Sequence, residues 1–307
     1  MSRQQSVLVL CLMAVLERMS YYGFRALIVV YAIDESGLNL NRELSLQLNS
    51  IFLFLLVFLP IPLGILTDKF SSQTKAIYLG GCIALIGYIL LIFVDIKLAS
   101  VGMLMIAAGT SLVKPNSTIL IGRLFEKSNK KRSLAYIILF AAINIGAFIG
   151  SIAIGYIVEY TDWSLGFGLA AAANLIYLLI FHFTNKKINQ IESNNIDSET
   201  LIVSTSKSIL VLTFLLIINA IFWTSHSYIN SQYTSDIISY SDSEIFGISF
   251  SSSLVYSIGA FFSIPLMLIF YLYWFLNGVK STILNISKSL IFFGVAILFI
   301  FFSNEVI

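Results

Sequence analysis

Charge is what this chain has least of. Asp, Glu, Lys and Arg make up 11% of its 307 residues, against roughly 25% in a soluble domain. Hydrophobic residues fill 58% of it, and the mean hydropathy is +0.91. That balance excludes an ordinary soluble domain and specifies a polytopic membrane protein. Cysteine is also scarce. Cys11 and Cys82 both lie within apolar segments, which excludes an exposed secreted disulfide framework and makes them small core residues. A cleavable leader is not expected, because the apolar run at 7–33 is too long for an h-region and lacks a small-residue cleavage site. The net charge is only +2, and the basic run at 127–132 reads as a topology anchor beside anionic headgroups. Nucleic acid is excluded as a partner. The two histidines, His182 and His226, read as an interfacial residue and as a packed or pore-lining one. A proton relay is the alternative for His226.

A spanning helix needs about 20 mostly apolar residues. Such runs lie near 6–33, 46–67, 76–95, 98–122, 134–158, 164–184, 208–234, 246–276 and 281–303. The eighth is long for one span, with a bend expected at Pro265. Lys and Arg set the orientation. With the N-terminus inside, twelve of the 18 fall in cytoplasmic segments, two (Arg42 and Lys97) in outer loops, and four (Arg18, Arg25, Lys114 and Lys288) within spans. The reading is an inner-membrane, multi-pass protein with a cytoplasmic N-terminus. Lys288 reads as snorkelling.

The three charges between Glu17 and Arg25 stand inside the first span, in Glu17-Arg18-Met19-Ser20-Tyr21-Tyr22-Gly23-Phe24-Arg25. A charge at the centre of a membrane helix costs about 2.5–3.5 kcal/mol on insertion scales, so these side chains must face a partner, a cavity or water. A transport or proton pathway is the default meaning. Six spans with short loops occupy 1–184, a polar cytoplasmic linker occupies 185–207, and three spans follow in 208–307. Carriers with six plus six spans place the site between two bundles. The expected architecture is therefore all-α, with about nine of twelve helices and a partial second bundle. A separate chain supplying the missing helices is one expected partner, and a truncated, non-transporting remnant is one alternative.

Several segments carry a family resemblance. Gly64-Ile65-Leu66-Thr67-Asp68-Lys69, followed by Lys75, resembles the cytoplasmic signature of the major facilitator superfamily, in which glycine permits close helix approach. The resemblance implies a gating role for Asp68. Glu17-Arg18-Met19-Ser20-Tyr21-Tyr22-Gly23 resembles the first-helix signature of the proton-dependent oligopeptide transporters. Gly109-Thr110-Ser111-Leu112-Val113-Lys114-Pro115-Asn116 resembles their fourth-helix lysine motif. Ala142-Ile143-Asn144-Ile145-Gly146-Ala147 resembles their fifth-helix signature, Trp163-Ser164-Leu165-Gly166-Phe167 their entry to helix six, and Ile221-Phe222-Trp223 the start of their helix-seven motif. Five matches run in chain order. Two departures stand beside them. Ala14 occupies the place of the family's first glutamate, and no acidic residue follows Trp223 within the run to Tyr228.

The chemistry stands without the family. A short peptide presents an ammonium, a carboxylate and a polar backbone. Arginine captures a carboxylate bidentately, and Arg18, Tyr22 and Arg25 recur at helical steps on one face. Glu17 and Tyr21 share the adjacent strip. Glu17 and Lys114 are expected to pair across the bundle, so that protonation of Glu17 releases a cation for substrate. Pro115 loosens the backbone ladder beside Lys114. Asn144 offers a donor and an acceptor, and Trp223 a flat apolar wall. Substrate contacts are thus expected from Tyr21, Tyr22, Arg25, Lys114, Asn144 and Trp223, and proton coupling from Glu17, Arg18 and Lys114. The alternatives are a static network of Glu17, Arg18 and Lys114, snorkelling of Arg25, packing of the tyrosines, and interhelical glue for Asn144. The resemblance implies a symporter of di- and tripeptides with protons, working by alternating access within the lipid bilayer. It is not an enzyme, and no cofactor or metal is implied. A facilitator-type carrier of another small polar or anionic solute is the alternative function.

Overall fold

The structure is a computed structural model that describes residues 3–69, 73–125 and 130–193, with scattered positions between 213 and 272. The chain divides into two units, Met1–Ile264 and Pro265–Ile307. In the second, Pro265, Leu266, Ile269 and Leu272 are helical and exposed.

Seven helices carry the described part of the first unit: α1 (Arg3–Ile33), α2 (Arg42–Phe58), α3 (Pro60–Lys69), α4 (Gln73–Leu91), α5 (Ile96–Arg123), α6 (Lys130–Tyr160) and α7 (Trp163–Ser193). With α2 and α3 forming one broken span, they give six segments long and apolar enough to cross a membrane. All six spans expected before residue 184 are therefore present. The three expected after residue 207 lie outside the described residues, apart from isolated positions. A two-rung antiparallel hairpin pairs Glu244–Ile245 with Ile248–Ser249, at the point where the eighth span was expected to begin.

Local chemistry sets the boundaries. The break near Leu59 falls where Pro60 opens α3, because proline has no N–H to continue the ladder and suits the first helical position. Asn41 caps α2 by accepting from the Leu44 N–H at 2.9 Å, Asp95 caps α5 from Lys97 and Leu98 at 2.9 Å, and Asp162 accepts from the Leu165 N–H at 2.7 Å. Asp95 and Asp162 are thus helix caps. The third span, α4, ends at Leu91 rather than near 95, and Val94 takes a positive φ of 49° before the Asp95 cap. The linker expected from 185 is helical as far as Ser193. Its polar residues include no Gly or Pro, and Ile188 is fully buried among Leu124, Phe125 and Phe181.

Small residues set the tight contacts. Helices α4 and α5 run antiparallel, with Gly80 against Gly109 and Gly87 against Gly102. A Cβ on Gly109 would come 2.4 Å from the Gly80 carbonyl oxygen, and one on Gly87 2.6 Å from that of Gly102. Helices α1 and α6 meet in the same way, since a Cβ on Gly150 would lie 2.2 Å from the Met19 carbonyl. In lipid, such close approach is what drives helix association. Gly64 corrects an expectation, because nothing lies within 4 Å of where its Cβ would be. Helix α3 is peripheral there, with Ile61 and Ile65 exposed, so this glycine serves no close approach among the described residues.

A contrast tests this packing. Gly109→Ala gains helix propensity of about 1 kcal/mol but overpacks a site whose neighbour is backbone. Gly168→Ala gains the same propensity in open space. Thermal unfolding in detergent should therefore show Gly109→Ala less stable than wild type and Gly168→Ala equal or more stable. Equal midpoints for the two variants would contradict the packing argument.

Candidate functional site

The site is built on α1. Glu17 and Arg18 are consecutive and lie deep in the helix, 5% and 3% exposed. The Arg18 Nε donates to Glu17 Oε2 at 2.5 Å and its Nη2 to Oε1 at 2.8 Å. Both carboxylate oxygens are thus engaged by one guanidinium fork. Neighbouring side chains on a helix diverge by about 100°, so this pairing needs both to curl toward each other. A buried ion separated from its partner costs about 3–5 kcal/mol, which holds the pair closed. The Arg18 guanidinium also lies 5.1 Å from the centre of the Tyr21 ring, in cation–π range. Tyr22 packs edge-on against Tyr21 at 4.9 Å, and Arg25 reaches the Tyr21 hydroxyl.

Helix α6 backs this arrangement through Gly146. A Cβ there would lie 2.4 Å from the Val15 carbonyl and 2.9 Å from the Arg18 Cβ. The glycine of the fifth-span motif therefore has a physical task, which is to let α6 lie flat against the Arg18 turn. Asn144, two residues earlier, is half-buried and donates its Nδ2 to the Phe140 carbonyl at 2.8 Å. Its amide nitrogen is turned to its own helix.

A cavity of about 70 Å³ joins four helices at this level. It is lined by Met13, Glu17 and Arg18 of α1, Lys114 of α5, Ile143 of α6 and Tyr177 of α7, among others. The three residues expected to couple protons therefore share one cavity. The expected pairing of Glu17 with Lys114 is corrected, because the Glu17 carboxylate is ion-paired with Arg18. The adjacent guanidinium takes both oxygens, and Lys114 lines the same cavity as an exposed residue. Pro115 does not break α5. Asn116, 4% exposed, donates its amide to the Leu112 carbonyl at 2.7 Å in the turn the proline disturbs.

Magnitude separates two roles. Ligand pockets run to about 300–1,000 Å³, so with the Glu17–Arg18 pair closed this cavity is too small for a peptide. It has room for a few waters. Tyr22 and Arg25 are half-buried and Lys114 is exposed, whereas Glu17, Arg18 and Tyr21 are buried. The sequence grouped these residues by helical spacing; the structure divides them into a buried ionic layer and an accessible cationic one. Asp68 falls in α3. Trp223 and His226 lie outside the described residues.

Sequence reasoning missed polar residues on the neighbouring helices. Ser20 is fully buried and donates its hydroxyl to the Ala170 carbonyl at 2.7 Å, tying α1 to α7. Asn174 is 1% exposed and neither of its amide atoms has a hydrogen-bond partner. The available signal was an amide standing alone in the apolar run Ala170-Ala171-Ala172-Ala173-Asn174-Leu175-Ile176.

The sequence matches the Major Facilitator Superfamily over residues 10–306. The chain belongs to that superfamily. Within it, the chain resembles peptide transporters. It is 30% identical over 194 residues to a di-/tripeptide transporter of Lactococcus lactis subsp. lactis (strain IL1403), covering 60% of this chain and 39% of that one. It is 28% identical over 210 residues to the uncharacterized transporter YclF of Bacillus subtilis (strain 168), covering 66% and 43%. A crystal structure of a point mutant of the peptide transporter POT in complex with alafosfalin aligns with a TM-score of 0.67 at 25% identity, over 90% of this chain and 69% of that one. The all-α facilitator fold and the multi-pass membrane character expected from the sequence are thereby shown. The chain spans less than half the length of the curated relatives it matches.

Proposed function

We propose that this facilitator carries di- and tripeptides in symport with protons, by alternating access. The observation that carries the reading is the buried Glu17–Arg18 pair on the wall of a cavity shared with the accessible Lys114. An ion pair in low dielectric is strong while both charges persist and is lost when one is neutralised. Protonation of Glu17 removes the charge that holds Arg18. The uncompensated guanidinium then requires an anion, and a peptide carboxylate supplies one. Release of substrate on the other side returns Arg18 to Glu17 and expels the proton. In this scheme Arg25 and Lys114 join the freed Arg18 at the substrate carboxylate, Tyr21, Tyr22 and Asn144 contact its backbone or termini, Trp223 adds an apolar wall, and Asp68 latches the gate. The names of the relatives support a peptide as substrate.

The direct test is counterflow of a labelled dipeptide into liposomes holding the purified chain. Uptake above empty liposomes, competed by unlabelled di- and tripeptides, is expected. Competition by small carboxylates and not by peptides would favour the carrier of another anionic solute. No uptake of either kind would remove the reading.

The orientation proposed is N-terminus inside, from the Lys and Arg distribution. It places the turn at Ser36 outside and Lys187 inside. In a background without Cys11 and Cys82, Ser36→Cys in intact cells should react with a membrane-impermeant maleimide. Lys187→Cys should react only after permeabilisation. The reverse pattern would invert the topology.

A further inference from the structure

The face of α1 that carries Glu17 opposes one particular face of α7. On α1, Met13, Glu17, Ser20 and Phe24 recur at steps of four, three and four, and so form one stripe. On α7, Phe167, Ala170, Asn174 and Tyr177 recur at steps of three, four and three and form a second stripe. The two stripes meet in antiparallel register. The Phe24 and Phe167 rings are 5.9 Å apart, Ser20 bonds the Ala170 carbonyl, and Met13 and Glu17 line the cavity with Tyr177. A step of three or four residues advances a helix by about 4.5–6 Å. Asn174 lies one such step beyond Ala170 and Glu17 one beyond Ser20, in the same direction, so Asn174 stands on α7 at the level of Glu17.

Its side chain is 1% exposed and both amide atoms lack a hydrogen-bond partner. Leaving such a group unsatisfied costs about 1–3 kcal/mol, and a buried polar group in that state calls for an explanation. We infer that Asn174 is the partner that receives the Glu17 side chain when it is protonated, and so a positioning residue for the proton step; this rests on the proton role proposed above for Glu17.

The donor and acceptor count supports the assignment. With Glu17 ionised, both its oxygens accept from Arg18. Once a proton from the cavity binds one of those oxygens, the group becomes an O–H donor with a neutral carbonyl beside it. The ionisable side chains around it are Arg18 and Tyr21 on α1, Tyr88 on α4, Lys114 on α5 and Tyr177 on α7, while α6 contributes Leu139 and Ile143 to the cavity. Arg18 and Lys114 have no acceptor to offer. The Tyr177 hydroxyl is directed at the Ile77 carbonyl, 3.4 Å away. Asn174 can accept the O–H at Oδ1 and donate Nδ2 to the other oxygen, closing a two-bond ring between a carboxylic acid and an amide. No covalent bond is made or broken except that to the single proton, which leaves by the cavity when Arg18 returns.

Infrared difference spectra of the full chain in lipid, taken between high and low pH, test this. The protonated carboxyl band of Glu17 is identified by its loss in Glu17→Gln. In Asn174→Leu that band should move to higher wavenumber, because its carbonyl loses a donor and its O–H an acceptor. Asn174→Ala serves if the leucine variant does not fold, and it should shift the band in the same direction. A Glu17 band unmoved in a folded Asn174 variant would overturn the assignment while leaving the proton role of Glu17 intact. Absence of a Glu17 band across the accessible pH range would overturn the proton role itself, and the assignment with it.

Discussion

Replacing Arg25 with alanine should reduce dipeptide uptake at least about tenfold while leaving the chain inserted and folded. A charged hydrogen bond is worth about 1.5–3 kcal/mol, and about 1.4 kcal/mol is a factor of ten in affinity, so loss of one bidentate contact to a substrate carboxylate spans roughly ten- to a hundredfold. Arg25 is half-buried and lies two helical turns from the Glu17–Arg18 pair. Its removal therefore leaves the buried ionic layer intact. Arg25 also reaches the Tyr21 hydroxyl, and some loss could come through that tyrosine. Two controls separate the causes. Tyr21→Phe removes the hydroxyl and keeps the ring under Arg18, and should cost less than Arg25→Ala. Arg25→Lys keeps the charge but lacks the planar fork, and should restore uptake poorly. Normal uptake by Arg25→Ala would take the residue out of the substrate site. Full rescue by lysine would reduce it to a point charge.

What the sequence made legible follows from which physical signals are local. Long apolar runs disclose spanning helices because the bilayer imposes their length, and all six runs before residue 184 became helices. Ends were less legible. Residues 185–193 look like a linker by composition, yet Lys, Gln and Glu are good helix formers, and Ile188 anchors the extension in the core. Polarity marks where a chain meets water, and a helix can continue there. The break in the second span was not anticipated in the run 46–67, although its cause is local, since the missing N–H of Pro60 acts on its own turn. Gly64 shows the opposite case. Whether a glycine permits close packing depends on what faces it, and that is a tertiary fact.

The same division governs the site. Glu17, Arg18 and Lys114 were visible because charge in an apolar run is costly wherever the chain goes. That Glu17 would pair with Arg18 was not visible, since consecutive helical side chains start out pointing apart, and the two-bond contact between them is a fact of side-chain conformation. Asn174 was hidden for a related reason. An amide in an alanine-rich helix reads as packing until the opposing stripe on α1 is known.

Glu17→Gln should separate two activities that the wild-type chain performs together. Glutamine keeps the size of the side chain and cannot ionise, so it holds the site permanently in the state that protonation produces. Arg18 then faces a neutral amide. Its charge is left for the substrate carboxylate in every conformation, so substrate binds and exchanges without a proton being carried. Counterflow of a labelled dipeptide should persist within a few-fold of wild type. Accumulation driven by an imposed pH gradient should fall to the level of empty liposomes. Because Arg18 loses a buried partner, a cost of up to about 3–5 kcal/mol falls on the folded state. Monodispersity and thermal unfolding must therefore be checked beside transport. Ala14 sharpens the expectation. Where the related first-helix signature has a second glutamate, this chain has none, and Glu17 is the one carboxylate within the described spans at the depth of the cavity. No neighbouring acid on α1 can take over its proton. Lys114→Ala provides the complementary result. It removes a cation from the same cavity without touching the Glu17–Arg18 bonds, so it should weaken substrate binding in both assays instead of splitting them. Gradient-driven accumulation undiminished in Glu17→Gln would show that the coupling proton binds elsewhere.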